Sequence, residues 1–460
     1  MPDPTIPSTC ANPILYQWYV LDRQTRALER VSINASGEPA SIRTNAPGCG
    51  SEFNYVTREN SAISANGQYV TFNTIADNLV LGDTNNRVDT YRFDRVARSV
   101  KRITVGLNGE QFSSTGRAFT QSGDGRYYAF VCSALLGLSL ENSTFCLRDL
   151  ENNSITAIKD QLARPINESE VLRLTLSGNG KFAVFLTSSP ALIPGGGNGF
   201  RQAIRLDLTT SALKILSIRQ DGGLSTSVDA INAQEGNNIA VNWDASVVAF
   251  PCADAGSAEA GFNSVFGVWR QATGQMESPI DDLLQEPRGF VTFPSISADG
   301  DLMVFSSIFD LFNSFAGESR GVELWLRRNR GIGLAGRFVR RLDRTYTKIG
   351  HGEQRTFQSS PFTAINNSAR FQNNPVISAD GSMVAFSSRD PFLVEGDILI
   401  ADQTGDPGDF SPSPAIDVFV ARIFDADKIK LAVQVPASHH FSQILLALTL
   451  LLAGVWAVRR

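Results

Sequence analysis

Six times along the chain a short polar turn leads into a strand-length run that is apolar on both faces. The copies are Ser64-Ala-Asn66-Gly67 followed by Phe72, Ser122-Gly-Asp124-Gly125 by Phe130, and Ser177-Gly-Asn-Gly180 by Phe185. Further on come Ser297-Ala-Asp299-Gly300 with Phe305, Ser378-Ala-Asp380-Gly381 with Phe386, and a degraded copy, Asn242-Trp-Asp-Ala245, with Phe250. The Phe always stands five residues after the Gly or its replacement. Asp-Gly and Asn-Gly supply the positive φ that a tight hairpin requires, so each copy predicts two antiparallel strands. The second strand carries pairs such as Val70/Phe72 and Tyr69/Thr71 on its two faces. A strand apolar on both faces is covered on both faces. For an array of hairpins, that places each small sheet between two neighbouring sheets.

A third strand is predicted after each hairpin, at 89–94, 144–149, 203–207, 265–269, 322–326 and 417–420. A more polar fourth strand follows, clearest at 100–104, 213–216, 338–342 and 429–433. Four antiparallel strands per unit, repeated radially, predict an all-β fold, a β-propeller. The turn residues lie 55 to 81 residues apart, more than the roughly 40–45 of a WD40 blade, so long loops decorate the blades. The expected blades are 58–105, 116–160, 172–218, 239–280, 292–342 and 374–435, with a partial one at 14–33. Six full blades and a half suggest a seven-bladed ring over residues 1–435.

The Ser-Ala-Asp-Gly…Phe-Ser-Ser strand pair, together with Asn78-Leu-Val-Leu-Gly-Asp83-Thr-Asn85…Asp89 and Phe93-Asp94-Arg95, resembles the PD40 or TolB-like (WD40-like) propeller repeat. The resemblance covers nearly all of 14–435, is most specific at 58–105 and is weakest at 239–280, where Ala245 replaces the turn Gly. It implies a propeller of six to eight blades, used mainly as a binding scaffold in bacterial secreted and envelope proteins, and implies no particular reaction.

The two ends of the chain differ. Residues 1–13 have neither a basic region nor an apolar core of the signal-peptide kind. The chain then opens on what reads as a third strand, Tyr16 to Arg23, and a fourth, Ala27 to Ser32. Either the start lies upstream, beyond two further strands and an export signal, or other segments complete the half-blade. At the far end, residues 441–458 contain no charge and precede Arg459-Arg460. As a helix this stretch would span about 27 Å, near the lower limit for crossing a bilayer, with the Arg pair inside and the blades outside. The segment 436–460 is similar to C-terminal sorting tails of the PEP-CTERM or IPTL-CTERM type, which exosortase-like enzymes process. It lacks their clean Glu-Pro or Thr-Leu, so a membrane anchor is the plainer expectation and a last buried helix the bland one.

Composition adds limits. Lys plus Arg number 41 against 46 Asp plus Glu, a net charge of −5 that gives a nucleic-acid partner no support. Among five cysteines, Cys132 ends one predicted strand and Cys146 lies in the next, within disulfide range if those strands pair; buried reduced thiols fit equally. Cys10 and Cys49 could flank the partial blade, leaving Cys252 unpaired. No cofactor site is expected. Gly317-Glu-Ser319-Arg-Gly321 matches a nucleophile-elbow pattern, yet a strand follows it instead of a helix, and only His351 lies outside the tail. Asp83, Asn85 and Asp89 offer oxygen ligands, but the EF-hand spacing fails and a plain turn accounts for them. Gly195-Gly-Gly-Asn-Gly199 lacks the Lys of a phosphate loop and reads as a flexible connection. Arg327, Arg328, Arg330, Arg337, Arg340, Arg341, Arg344 and Lys348 read as an outer-strand charge set that discourages edge aggregation, or as a patch for lipid headgroups or acidic polysaccharide. The expectation is an extracytoplasmic, non-enzymatic interaction module with an unspecified protein or surface-polymer partner. The alternatives are a hydrolase or lyase of surface glycans or peptides, and a structural surface component.

Overall fold

The computed structural model describes residues 17–22, 25, 27–41, 62–85, 87–111, 120–132, 143–228, 239–252, 266–277, 291–307, 323–328, 339–341, 375–388, 417–425 and 428–435. Among these the chain is almost entirely β, with short 3₁₀ turns such as Pro190–Leu192. They divide into two compact units, one running to Glu170 with Asn179–Lys181, the other comprising Val171–Gly178 and the residues from Phe182 on.

The described strands form six four-stranded antiparallel sheets and one two-stranded sheet. The two-stranded sheet pairs β1 (Tyr19–Leu21) with β2 (Leu28–Arg30). The first full sheet runs β3 (Ala62–Ile63), β4 (Tyr69–Thr74), β5 (Asp89–Asp94), β6 (Ser99–Arg102), each strand bonded to the next in sequence. The same up-and-down order recurs in β7 (Thr120–Gln121) to β10 (Ser154–Ala157), β11 (Leu172–Leu176) to β14 (Leu213–Ile215), and β15 (Ala240–Val241) to β18 (Met276–Glu277). It recurs again in β19 (Val291–Ile296) to β22 (Val339–Arg341) and β23 (Val376–Ile377) to β26 (Lys428–Val435). Serial four-stranded meanders of this kind are propeller blades.

The two-faced apolar strands are covered on both sides. In β16 (Val247–Pro251), Val248 and Phe250 pack in one core with Val184, Leu186 and Trp269. The alternate residues Val247 and Ala249 pack in another with Met303 and Phe305. Phe72, Phe130, Phe185, Phe250 and Phe305 are all fully buried, each contributing about 2–3 kcal/mol of transfer free energy. Phe386 lies in β24 (Met383–Ser388), described there by its backbone alone.

Two first strands depart from regular pairing. The register of β19 shifts between Thr292 and Ser295, where Pro294 has no N–H to give the ladder. The register of β11 shifts between Leu172 and Thr175, and Arg173 there adopts a left-handed φ of 60°. Nothing in the local sequence around Arg173 announces that bulge.

Candidate functional site

The repeated turn is a closed hydrogen-bond unit. In the copy at 297–302, Ser297 Oγ–H donates to Asp299 Oδ1 at 2.7 Å and accepts from the Leu302 N–H at 3.0 Å. Gly300, at φ 75°, donates its N–H to Ser297 O at 2.9 Å. Ser378 and Asp380 with Gly381, Ser64 and Asn66 with Gly67, and Ser122 and Asp124 with Gly125 repeat these bonds. The copy that looked degraded is chemically intact. Asn242 does the work of Ser, its Nδ2 donating to Asp244 Oδ1 at 3.0 Å and its Oδ1 accepting from Val247 N–H at 2.9 Å. Ala245 takes the left-handed φ of 54° that Gly takes elsewhere.

Successive turns are also bonded to one another. Ala65 N–H donates to Gly123 O at 2.7 Å in the first unit. In the second, Trp243 N–H donates to Ala298 O at 3.0 Å and Ala298 N–H to Ala379 O at 2.7 Å. The turn glycines face the preceding blade closely. A Cβ at Gly125 would stand 2.7 Å from the Tyr69 ring, and one at Gly300 2.7 Å from Val247 Cγ2. Glycine is thus required twice at Gly300, for its φ and for the space. Two arginines add bolts. Arg92 lies over the Tyr69 ring and donates to Gly125 O at 3.2 Å. Arg205 lies over Phe182 and Trp269 and donates to Ala245 O at 3.0 Å. The turn residues therefore hold the blades together, and their polar atoms are engaged in doing so.

Cys132 and Cys146 form a disulfide with Cα atoms 5.7 Å apart, in a register that sets Phe130 opposite Cys146. Cys252 is buried, with its Sγ 3.4 Å from Ser225 Oγ. Cys10 and Cys49 lie outside the described residues, as do Gly317–Gly321, His351 and the tail 436–460. Of the basic stretch 327–348, Arg327, Arg328, Arg340 and Arg341 are described by backbone alone, in β21 (Glu323–Arg328) and β22. The glycine run is an ordered turn, with Gly195, Gly196, Gly197 and Gly199 all at positive φ.

The oxygen-rich loop at Asp83–Asp89 encloses a cation of the chain's own. Arg102 Nη1 stands 3.0 Å from Asp83 Oδ1 and 3.5 Å from Asp89 Oδ2. The guanidinium stands between the two carboxylates and supplies the positive charge they face. Among the described residues no cluster of His, Cys, Asp and Glu suits a metal, and no helix is long and apolar enough to cross a membrane.

Sequence inspection missed a second repeated polar element. A hydroxyl just beyond the fourth strand bonds a residue at or just before the start of the third, 15 residues earlier in each case. The pairs are Ser32 with Gln17, Thr104 with Asp89 and Ser217 with Gln202. Each hydroxyl also accepts the next backbone N–H, from Trp18, Thr90 and Ala203 respectively. The constant spacing was the available signal.

No protein-family model matches the chain, and no curated protein does. Among solved structures it is similar to the putative TolB of Agrobacterium tumefaciens, at 13% identity over 71% of this chain and 86% of that one, TM-score 0.35. The β-propeller domain of the trilobed protease from Pyrococcus furiosus shares 10% identity over 81% of each chain, TM-score 0.41. An oligogalacturonate lyase from Vibrio parahaemolyticus shares 13% over 71% of this chain and 85% of its own, TM-score 0.33. Similarities this slight transfer no activity, and the fold rests on the strand order and register given above.

Proposed function

We propose that the protein is a non-enzymatic binding scaffold, displayed outside the cytoplasm and tethered or sorted through residues 441–458. The observation that carries this reading is the employment of the repeat's polar side chains. Ser, Asp, Asn and Arg at the turns are engaged in bonds within and between blades. The long inter-strand loops are then the segments left to meet a partner, which would be a protein or a surface polymer. The Cys132–Cys146 disulfide supports the extracytoplasmic assignment, since such bonds persist in oxidising compartments.

Localisation is tested by proteinase treatment of intact and of lysed cells, with the intact mass of the mature chain. Cleavage in intact cells and one oxidised cysteine pair are expected. Protection in intact cells with all thiols reduced would refute the assignment. A chain ending near Pro436 would indicate a processed tail; one ending at Arg460 would indicate an anchor. The scaffold reading is tested by incubating the full chain with surface glycan fractions and with envelope proteins. Saturable binding without turnover is expected. New reducing or unsaturated sugar ends, or cleaved peptides, would make it an enzyme instead.

A further inference from the structure

Among the described residues, the blade of β3–β6 buries an unbalanced set of charges. Asp83, Asp89 and Arg102 are 6%, 1% and 7% exposed, and Tyr91 is fully buried beside them. Tyr91 O–H donates to Asp83 Oδ2, and Thr104 Oγ1–H donates to Asp89 Oδ1 at 2.5 Å. Asn85 Nδ2 donates to Asp89 Oδ2 at 3.2 Å. Among the described residues, the titratable or charged side chains facing Asp89 come from its preceding loop (Asp83), its own strand (Tyr91) and the fourth strand (Arg102). Two carboxylates thus share one guanidinium. With both ionised, the set carries one excess negative charge where water cannot reach it, and buried charge is tolerated only when paired. The blade at 172–218 follows the same backbone with Gly196, Ile204 and Ile215 at the positions of Asp83, Tyr91 and Arg102. The blade fold therefore does not require the ionic set.

We propose that this set is an acid-responsive latch: Asp89 takes up one proton as the medium turns mildly acidic, and the 82–89 loop is then held more firmly to the 102–111 segment. Protonation leaves Asp83 and Arg102 as a balanced ion pair; deprotonation restores the repulsion between the two carboxylates. Burial, with Asp83 adding to it, raises the Asp89 carboxyl to about 6 against the opposing pull of Thr104, Arg102 and Asn85. The two joined segments are also linked through Gln111, whose Oε1 accepts from Arg102 and from the Thr84 N–H. They carry Leu81 and Leu107, 95% and 51% exposed. The latch therefore sets how firmly two apolar loop tips are presented.

The test is amide hydrogen exchange on the full chain between pH 5.0 and 7.5, corrected for intrinsic rates. Protection of 82–91 and 102–111 is expected to fall about tenfold across that range, with a midpoint near 6. The aligned segments 195–204 and 215–224 serve as the internal control and should stay flat. Asp89→Asn should flatten the profile. Asp83→Asn should move its midpoint down, and Thr104→Val should move it up, because the first removes a like charge and the second a donor to the ionised form. A flat wild-type profile, or an equal change in the control segments, would overturn the latch. So would midpoints that ignore Asp83→Asn and Thr104→Val. Millimolar calcium restoring full protection at pH 7.5 would also overturn it, because the carboxylates would then answer to a metal.

Discussion

The blades of β3–β6 and β11–β14 are built on one backbone and filled with opposite chemistry. A single offset aligns them without insertion, setting Gly67 on Gly180 (φ 71° and 66°), Gly82 on Gly195 (both 78°), and Arg98 on Ser211 (49° and 59°). Arg92 and Arg205, each stacked on an aromatic ring and bonded to the next turn, also coincide. So do the hydroxyls of Thr104 and Ser217. The difference lies in what closes the loop before the third strand. One blade uses Asp83, Asp89, Tyr91 and Arg102; the other uses Gly196, Gln202, Ile204 and Ile215. In the neutral blade, Gln202 Nε2 donates to Ser225 O at 2.9 Å and its Oε1 accepts from Ser217 Oγ–H at 2.6 Å. Neutral hydrogen bonds are therefore sufficient for the geometry, and the ionic version introduces a dependence on pH that geometry alone would not demand.

The largest break in this comparison is Arg102→Ile, which installs the neutral blade's residue among the ionic blade's carboxylates. It should cost about 3–5 kcal/mol in a denaturant titration, because both acids lose their counter-ion. Adding Asp83→Gly and Asp89→Gln to it should recover most of that loss, since replacing a whole buried ionic set is often neutral. Next in size is the pH effect. In the folded protein the Asp89 carboxyl is raised above its ordinary value of 3.8, so the folded protein holds this proton longer than the unfolded chain does. Its stabilising contribution is complete below pH 3.8 and is lost as the pH rises towards 6, a change of roughly 3 kcal/mol. Stability curves of wild type and Asp89→Asn should diverge through that window and run parallel above it. Ser217→Ala, in the neutral blade, leaves Gln202 Oε1 and the Ala203 N–H without their partner and should cost about 1–2 kcal/mol at every pH. The smallest effect belongs to Thr104→Ser, which gives the ionic blade the neutral blade's hydroxyl. A change under about 0.5 kcal/mol is expected, and a larger one would mean that the Thr methyl, and not the shared hydroxyl, holds the two strands.

The fold was readable where one residue's chemistry dictates one local geometry. Asp380-Gly381 must turn, and a strand carrying Val384 and Phe386 on one face and Met383 and Ala385 on the other has no solvent face to offer. The turn at Asn242 reads as a degraded copy because its residue types differ from Ser and Gly. Its amide nevertheless offers one donor and one acceptor, as a hydroxyl does, and reproduces both bonds. The spacing of Asp83, Asn85 and Asp89 fits no calcium template and reads as a plain turn. The carboxylates' actual counter-ion, Arg102, lies on a strand beyond the intervening third strand, where sequence proximity gives no hint.

What the sequence determined by itself was the periodic part: turns that need positive φ, strands apolar on both faces, and hence stacked four-stranded sheets. Those follow from steric limits on each residue and from the alternation of side chains along a strand. Tertiary structure decided the pairings. Arg102 became the partner of Asp83, Cys146 of Cys132, and Ala298 O the acceptor for Trp243 N–H, because strand register and blade stacking bring distant residues to bonding distance. A buried charge or donor then takes whichever partner the packing leaves within reach.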